Sequence, residues 1–174
     1  MESSQVARFE AAMLPHLDDA YTLARYLMRD RHDAEDAVQD AYLRALRHFG
    51  GFRGGSGRAW LLAIVRNVCL TLLRKRGREV RDTEFSEELH NEAVDQDDPE
   101  TAMLRGTTRD AVHHALEQLP DEFREAIVLR ELQGLSYKEI SEVAAVPVGT
   151  VMSRLARARQ RLQLTLGPDL EEIR

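Results

Sequence analysis

Apolar residues return every three or four positions along most of the chain, a spacing that predicts helices throughout and no strand. Tyr21, Leu23, Ala24, Leu27 and Met28 form a stripe in a helix over 5–29, with a break near Pro15. Asp30-Arg31-His32-Asp33 reads as a turn in which Asp33 caps the next helix, 34–48. That helix turns Ala37, Val38, Ala41, Ala45 and Leu46 inward and shows Glu35, Asp36, Gln39, Asp40 and Arg44 on its outer edge. Ser56 or Gly57 caps a long helix from 58 to 76, whose buried stripe is Leu61, Ile64, Val65, Val68 and Leu72 and whose stop is Gly77. Pro99 opens a helix to Leu119 and Pro120 another to Gln133, after which Gly134 suits a left-handed position.

The most informative stretch follows, from Leu135 to Leu166. Ser136 and Glu139 have the spacing of a capping box, and Leu135 with Ile140 can close a hydrophobic staple around it. Pro147 stops the short helix begun at Tyr137 and suits the first turn of a second one. Val148, Val151, Leu155, Leu162 and Leu166 share one face of that second helix, while Thr150, Ser153, Arg154, Arg157 and Arg161 share the other. A short helix, a turn and a longer helix with a basic outer face is the pattern of a DNA-reading helix-turn-helix. An ordinary solvated helix face mixes charge signs, and here no acidic residue occurs between Val143 and Pro168.

Charge alters this picture. The 174-residue chain has a formal net charge of −6, which by itself opposes nucleic-acid binding. The charge is segregated, however. No Asp or Glu lies between Ala41 and Arg78, a stretch that holds Arg44, Arg47, Arg53, Arg58, Arg66, Arg74, Lys75, Arg76 and Arg78. From Glu79 to Glu100 the sign reverses, and the last helix is basic again. Two basic blocks around an acidic one predict two nucleic-acid contacts and a self-repelling flexible linker over 78–99. About twenty extended residues reach roughly 65 Å, close to two turns of duplex DNA at about 34–36 Å each.

Phe49 to Arg58, FGGFRGGSGR, is rich in glycine but has no Gly-Lys-Ser/Thr step and no preceding strand, so it fits neither a P-loop nor a dinucleotide fold. Phe52, Arg53, Arg58 and Trp60 suit single-stranded nucleic acid, with aromatic rings for bases and guanidinium groups for phosphates. Core packing is an equally good reading of Trp60. Cys69 stands alone among Val68, Leu70 and Leu72, which reads as a small core residue and excludes an internal disulfide. With no apolar run of membrane-spanning length and no signal peptide in MESSQVARFE, these features favour the cytoplasm and no membrane insertion.

The segments DAEDAVQDAYLRAL, FRGGSGRAWLLAIVRN and LPDEFREAIVLRELQGLSYKEISEVAAVPVGTVMSRLARARQRL, in this order, resemble the extracytoplasmic-function group of bacterial RNA polymerase sigma factors. The resemblance covers nearly the whole chain. It implies an all-α protein of two small helical domains. Sigma region 2 would occupy 1–77, for polymerase docking and for recognition and melting of the minus-ten element. The acidic linker follows at 78–99, and sigma region 4, which reads the minus-thirty-five element, at 100–174. It further implies core RNA polymerase, promoter DNA and an anti-sigma factor as partners. Asp36, Gln39 and Asp40 match the polymerase-binding positions. Phe52, Arg53, Ser56, Arg58 and Trp60 match the base-capturing loop, and Arg66, Asn67 and Arg74 the helix that handles minus-ten DNA. Gly149, Thr150, Ser153 and Arg157, with Arg154 and Arg161 on the same basic face, match the minus-thirty-five contacts. Met152 departs from the pattern, since many members carry Lys or Arg there, and its presence removes a DNA contact. Ala145 stands where Gly is common, Ser141 where Ala is, and Ala156 replaces a residue that is often larger.

Two other readings compete: a stand-alone helix-turn-helix regulator, which leaves the first half unexplained, and a sigma mimic that titrates an anti-sigma factor, which has no need of arginines on its recognition helix. No catalytic constellation appears, so the chain does not read as an enzyme, and no cofactor is implied. His113 and His114 are about 100° apart on a helix, a poor geometry for holding a metal together.

Overall fold

The helical spacing of apolar positions is realised as eight α-helices, with no strand among the described residues. The computed structural model describes residues 2–82 and 99–167, with side chains over 2–79 and 108–167. The helices are α1 (Ser3–Met13), α2 (Leu17–Met28), α3 (Arg31–His48), α4 (Gly57–Asp82), α5 (Pro99–Glu117), α6 (Asp121–Ile127), α7 (Tyr137–Ala144) and α8 (Val148–Leu166). A single 3-10 turn at Leu14–His16, with Pro15 inside it, makes the break between α1 and α2.

Helices α2, α3 and α4 pack on one another in the front half, and α5, α6 and α7 gather around α8 in the rear half. Ala20, Leu23, Ala24, Ala37, Ala41, Leu61, Leu62 and Val65 fill the front core. Small alanines on α2 and α3 allow close helix approach. Leu129, Leu135, Ile140, Val143, Val151 and Leu155 fill the rear core. These two sets belong to one continuous apolar cluster, because α4 packs against α7 and α2 against α6. Cys69 lies inside it, and burial pushes its thiol up to about 12, far from reactive range.

Several boundaries differ from the sequence pattern for identifiable reasons. Asp30, not Asp33, caps α3: its side chain accepts the Asp33 N–H at 2.9 Å, and the helix begins three residues early. Helix α4 runs through Gly77 to Asp82, since one helical glycine costs only about 1 kcal/mol. Arg76 also pairs with Asp33 on the neighbouring helix. Residues 78–82 of the expected linker are therefore helical, and its acidic remainder, 83–98, lies outside the described residues. Helix α5 ends at Glu117 rather than Leu119, just ahead of Pro120. The next helix relaxes into a wider π turn over Val128–Leu132, closed by Gln133 N–H to Val128 O at 3.2 Å. Gly134 then takes the left-handed conformation expected of it, with φ 67°.

Candidate nucleic-acid interfaces

The rear interface is assembled by local rules. Ser136 accepts from Glu139 N–H at 3.1 Å, and the Glu139 carboxylate accepts from Ser136 N–H at 3.1 Å, a complete capping box. That bond to the Ser136 backbone holds the Glu139 carboxyl below its ordinary range. Leu135 and Ile140 are both buried around the cap. Ala145 turns the chain in left-handed conformation, φ 54°, and the Val146 N–H reaches back to Ser141 O. Pro147 caps α8, which drives Val151, Leu155 and Ala158 into the core.

The outward face of α8 is narrower than helical spacing alone suggests. Gly149, Ser153 and Arg157 are exposed together, and Thr150 is half-buried beside them. Arg157 has no hydrogen bond or ion pair among the described residues. Arg154, expected on the same face, has only 17% of its side chain exposed and points toward Glu122 of α6 at 3.8 Å. Arg161 lies over the Phe123 ring, 5.3 Å from its centroid. Val148, expected in the buried stripe, is instead exposed, because the first residue of α8 projects past the edge of the core.

The front interface centres on the glycine loop and the start of α4. Gly54 and Gly55 take φ of 90° and 83°, which only glycine adopts freely. Ser56 caps α4 by accepting the Ala59 N–H at 3.1 Å. Phe52 stacks on Phe49, centroids 6.0 Å apart, and both rings meet Trp60. Trp60 is thus half-buried in an aromatic group, part core and part surface. Arg53, Asn67 and Arg74 are exposed.

The remaining front candidates bond to the rear half. Ser56 Oγ donates to Glu139 Oε2 at 2.9 Å. Arg58 Nη1 donates to Gln133 O at 2.8 Å and lies 3.5 Å from Asp19 Oδ2. The Gln133 side chain donates to Asp19 O at 2.6 Å. Arg66 pairs with Glu125, which is only 5% exposed. Burial raises the Glu125 carboxyl more than the Arg66 guanidinium lowers it. At the other end of the seam Arg29 donates to Glu117 O at 3.1 Å, and Tyr26 meets the His113 ring. Sequence reasoning gave no site role to Asp19, Glu125 or Gln133, whose partners across the seam lie far away in the chain.

On α3, Asp36 and Gln39 are exposed and Asp40 pairs with Arg44 at 3.2 Å. Leu43, 51% exposed and three residues after Asp40, extends this edge with an apolar group. Its helical spacing from Asp36 and Asp40 was the available signal.

Both halves of the chain match known protein families. Residues 13–79 match the Sigma-70 region 2 family and residues 109–162 the Sigma-70 region 4 family. The chain is 38% identical over 172 residues to the RNA polymerase sigma-H factor of Pseudomonas aeruginosa, covering 94% of this chain and 89% of that protein. Among solved structures it is similar to the sigma factor RpoE of Bartonella quintana, in complex with the anti-sigma factor NepR. That match has a TM-score of 0.76 and 33% identity, over 93% of this chain and 98% of that one. It is also similar to CnrH in complex with the cytosolic domain of CnrY, with a TM-score of 0.64 and 27% identity, over 91% and 86% of the two chains.

Proposed function

The chain belongs to the extracytoplasmic-function group of RNA polymerase sigma factors, and on that premise we propose how its residues divide the work of promoter recognition. As a sigma factor it binds core RNA polymerase, directs it to specific promoters and helps open the DNA. The front domain, 1–77, docks on the polymerase through Asp36, Gln39 and Asp40, with Leu43 as the apolar member of the patch. It meets the minus-ten element through Phe52, Arg53, Ser56, Arg58, Trp60, Arg66, Asn67 and Arg74. The rear domain, 100–174, lays α8 in the major groove of the minus-thirty-five element, where Gly149, Thr150, Ser153 and Arg157 face the DNA and Arg154 and Arg161 flank them. The acidic segment 78–99 tethers the two. The protein works in the cytoplasm, without a catalytic step of its own.

The observation that carries this reading is the exposed, acid-free face of α8 in a helix-turn-helix whose first helix has a complete capping box, beside a front half with an acid-free basic stretch from Ala41 to Arg78. Regulation by an anti-sigma protein belongs to the same reading. The solved neighbour RpoE is a sigma factor in complex with the anti-sigma factor NepR, and the seam that joins the two halves here engages Ser56, Arg58 and Arg66.

Transcription in vitro with purified core polymerase tests it. The expected result is specific initiation that depends on this chain. The double variant Asp36→Arg/Asp40→Arg should keep its fold, since exposed charges rarely alter stability by more than about 0.5 kcal/mol. It should no longer co-elute with core enzyme. Unchanged co-elution would remove these residues from the docking surface.

A further inference from the structure

Helix α8 presents something that a purely charge-reading helix does not need. Val148 is 41% exposed and Met152 54% exposed, and Ala156 is exposed as well. The three are four residues apart in turn, so they form one apolar row along the helix. The row runs directly beside Gly149, Ser153 and Arg157, and the core-facing residues Val151, Leu155 and Ala158 lie on the other side. An exposed row of this kind calls for an occupant.

Its surroundings say which. No acidic residue occurs between Val143 and Pro168, whereas Arg154, Arg157, Arg159 and Arg161 do. Arg154 pairs with Glu122 and Arg159 with Glu131, so Arg157 and Arg161, without an ion pair among the described residues, give the row a cationic neighbourhood complementary to a polyanion. In the major groove of DNA the bases present hydrogen-bonding atoms and one apolar group, the 5-methyl of thymine. A methionine is suited to it: the side chain is unbranched, has three rotatable bonds and adapts to irregular apolar surfaces. Lysine or arginine at this position would reach guanine or phosphate, and methionine can reach neither by charge.

We propose that Met152, with Val148 and Ala156 beside it, reads thymine through the 5-methyl group in the minus-thirty-five element. The inference rests on the reading of α8 as the helix that enters promoter DNA. Arg157 supplies the hydrogen-bonded part of recognition. The Met152 row supplies the part decided by apolar fit, so that the preferred element carries thymine on at least one strand at adjacent positions.

The test uses the holoenzyme formed from the full chain and core polymerase. A library randomised over the minus-thirty-five segment is first selected for binding. Each thymine of the selected element is then replaced singly by deoxyuridine, which keeps every hydrogen-bonding atom and lacks only the methyl group. For the unsubstituted chain, one or two thymines should show about fourfold weaker binding as uracil, the value of one buried methyl. Met152→Ala should bind thymine and uracil equally at those positions, Met152→Leu should keep the discrimination, and Met152→Lys should bind both more tightly without discriminating. A selected element without thymine overturns the proposal, as does a uracil effect that Met152→Ala leaves intact. Selection of no element at all, or one indifferent to Arg157→Ala, overturns the reading of α8 itself. An Arg157-dependent element that tolerates uracil everywhere overturns only the methyl reading, and leaves the exposed row to a protein partner.

Discussion

Ser56, Arg58 and Arg66 at the front end on atoms of the rear half, whereas Ser153 and Arg157 on α8 face solvent. The two candidate interfaces share a charge sign, yet the chain engages Arg58 and Arg66 of one across the seam and leaves the face of the other open. The cover is not made of strong pieces. Ser56 to Glu139 is exposed, and pairs of that kind contribute little. Arg66 with Glu125 is buried, and a buried pair must offset the loss of water from both charges. The raised Glu125 carboxyl reports that this offset is incomplete. Helix α4 also packs against α7 within the continuous apolar cluster, so the closure joins apolar burial to these polar bonds. Contact of Arg58 and Arg66 with minus-ten DNA requires that seam to part.

The largest effect should follow from Glu125→Ala. It leaves Arg66 without its counter-charge at the seam, and stranding one member of a buried pair costs about 3–5 kcal/mol. Opening returns Arg66 to water and avoids that cost. The radius of gyration of the free full chain in solution scattering should rise, and its affinity for a single-stranded minus-ten oligonucleotide should rise with it. An unchanged radius and affinity would break the comparison, because the front surface would then be closed for some other reason. The pH dependence adds a sign. Burial raises the Glu125 carboxyl in the closed chain, and where the seam supplies that burial the closed form binds the proton more tightly than the open one. Its contribution therefore favours closure at low pH and turns against it as pH rises through the raised value. Glu125→Gln should remove that part of the pH dependence and no other.

The difference between the two interfaces also explains what the sequence could reveal. The helix-turn-helix was legible because its devices are local: Ser136 and Glu139 are three residues apart, and Pro147 and Gly134 act where they stand. The seam was not, because its pairs join residues 59, 75 and 83 positions apart, and no periodicity reports them. Between these extremes lie near misses. Asp30 and Asp33 are equally good caps on paper, and the structure chooses the one that can accept the other's N–H. Helical spacing groups Arg154 with Ser153 and Arg157, but Glu122 on α6 draws it to the edge of the core. The family resemblance assigned Arg58 and Arg66 to DNA and carried no sign that a closed chain would hold them.

A smaller effect separates the arginines of α8. Arg157→Ala should weaken promoter use and relax preference at one or two minus-thirty-five positions, at about 1–3 kcal/mol of discrimination. Arg159 is held by Glu131 at 2.9 Å, away from that face, so Arg159→Ala should cost little specificity. Binding of both variants to a panel of single-base substitutions at two salt concentrations checks this. A uniform loss for Arg157→Ala, with a salt slope smaller by about one, would reduce it to a phosphate contact.

The smallest effect concerns the turn that sets α8. Ala145 and Arg29 are the two described non-glycine residues in left-handed conformation. Arg29 has a use there, since its guanidinium donates to Glu117 O across the seam. Ala145 is exposed and its side chain has no comparable contact. A left-handed residue with a Cβ costs about 1–2 kcal/mol, and glycine removes that strain while adding about 0.4–1 kcal/mol of unfolded-state entropy. Ala145→Gly should therefore stabilise the rear half by something under about 1 kcal/mol. The bond from Ala145 N–H to Ser141 O needs no side chain and should persist, so minus-thirty-five binding should stay unchanged. In the closed chain both halves melt together through their shared core, and the melting temperature should rise by about 2–3 °C. In the Glu125→Ala background the halves should melt separately, and the rise should appear only in the transition that releases α7 and α8. A rise shared by both transitions would mean that the seam survives the loss of Glu125, and that apolar contact alone keeps the front interface covered.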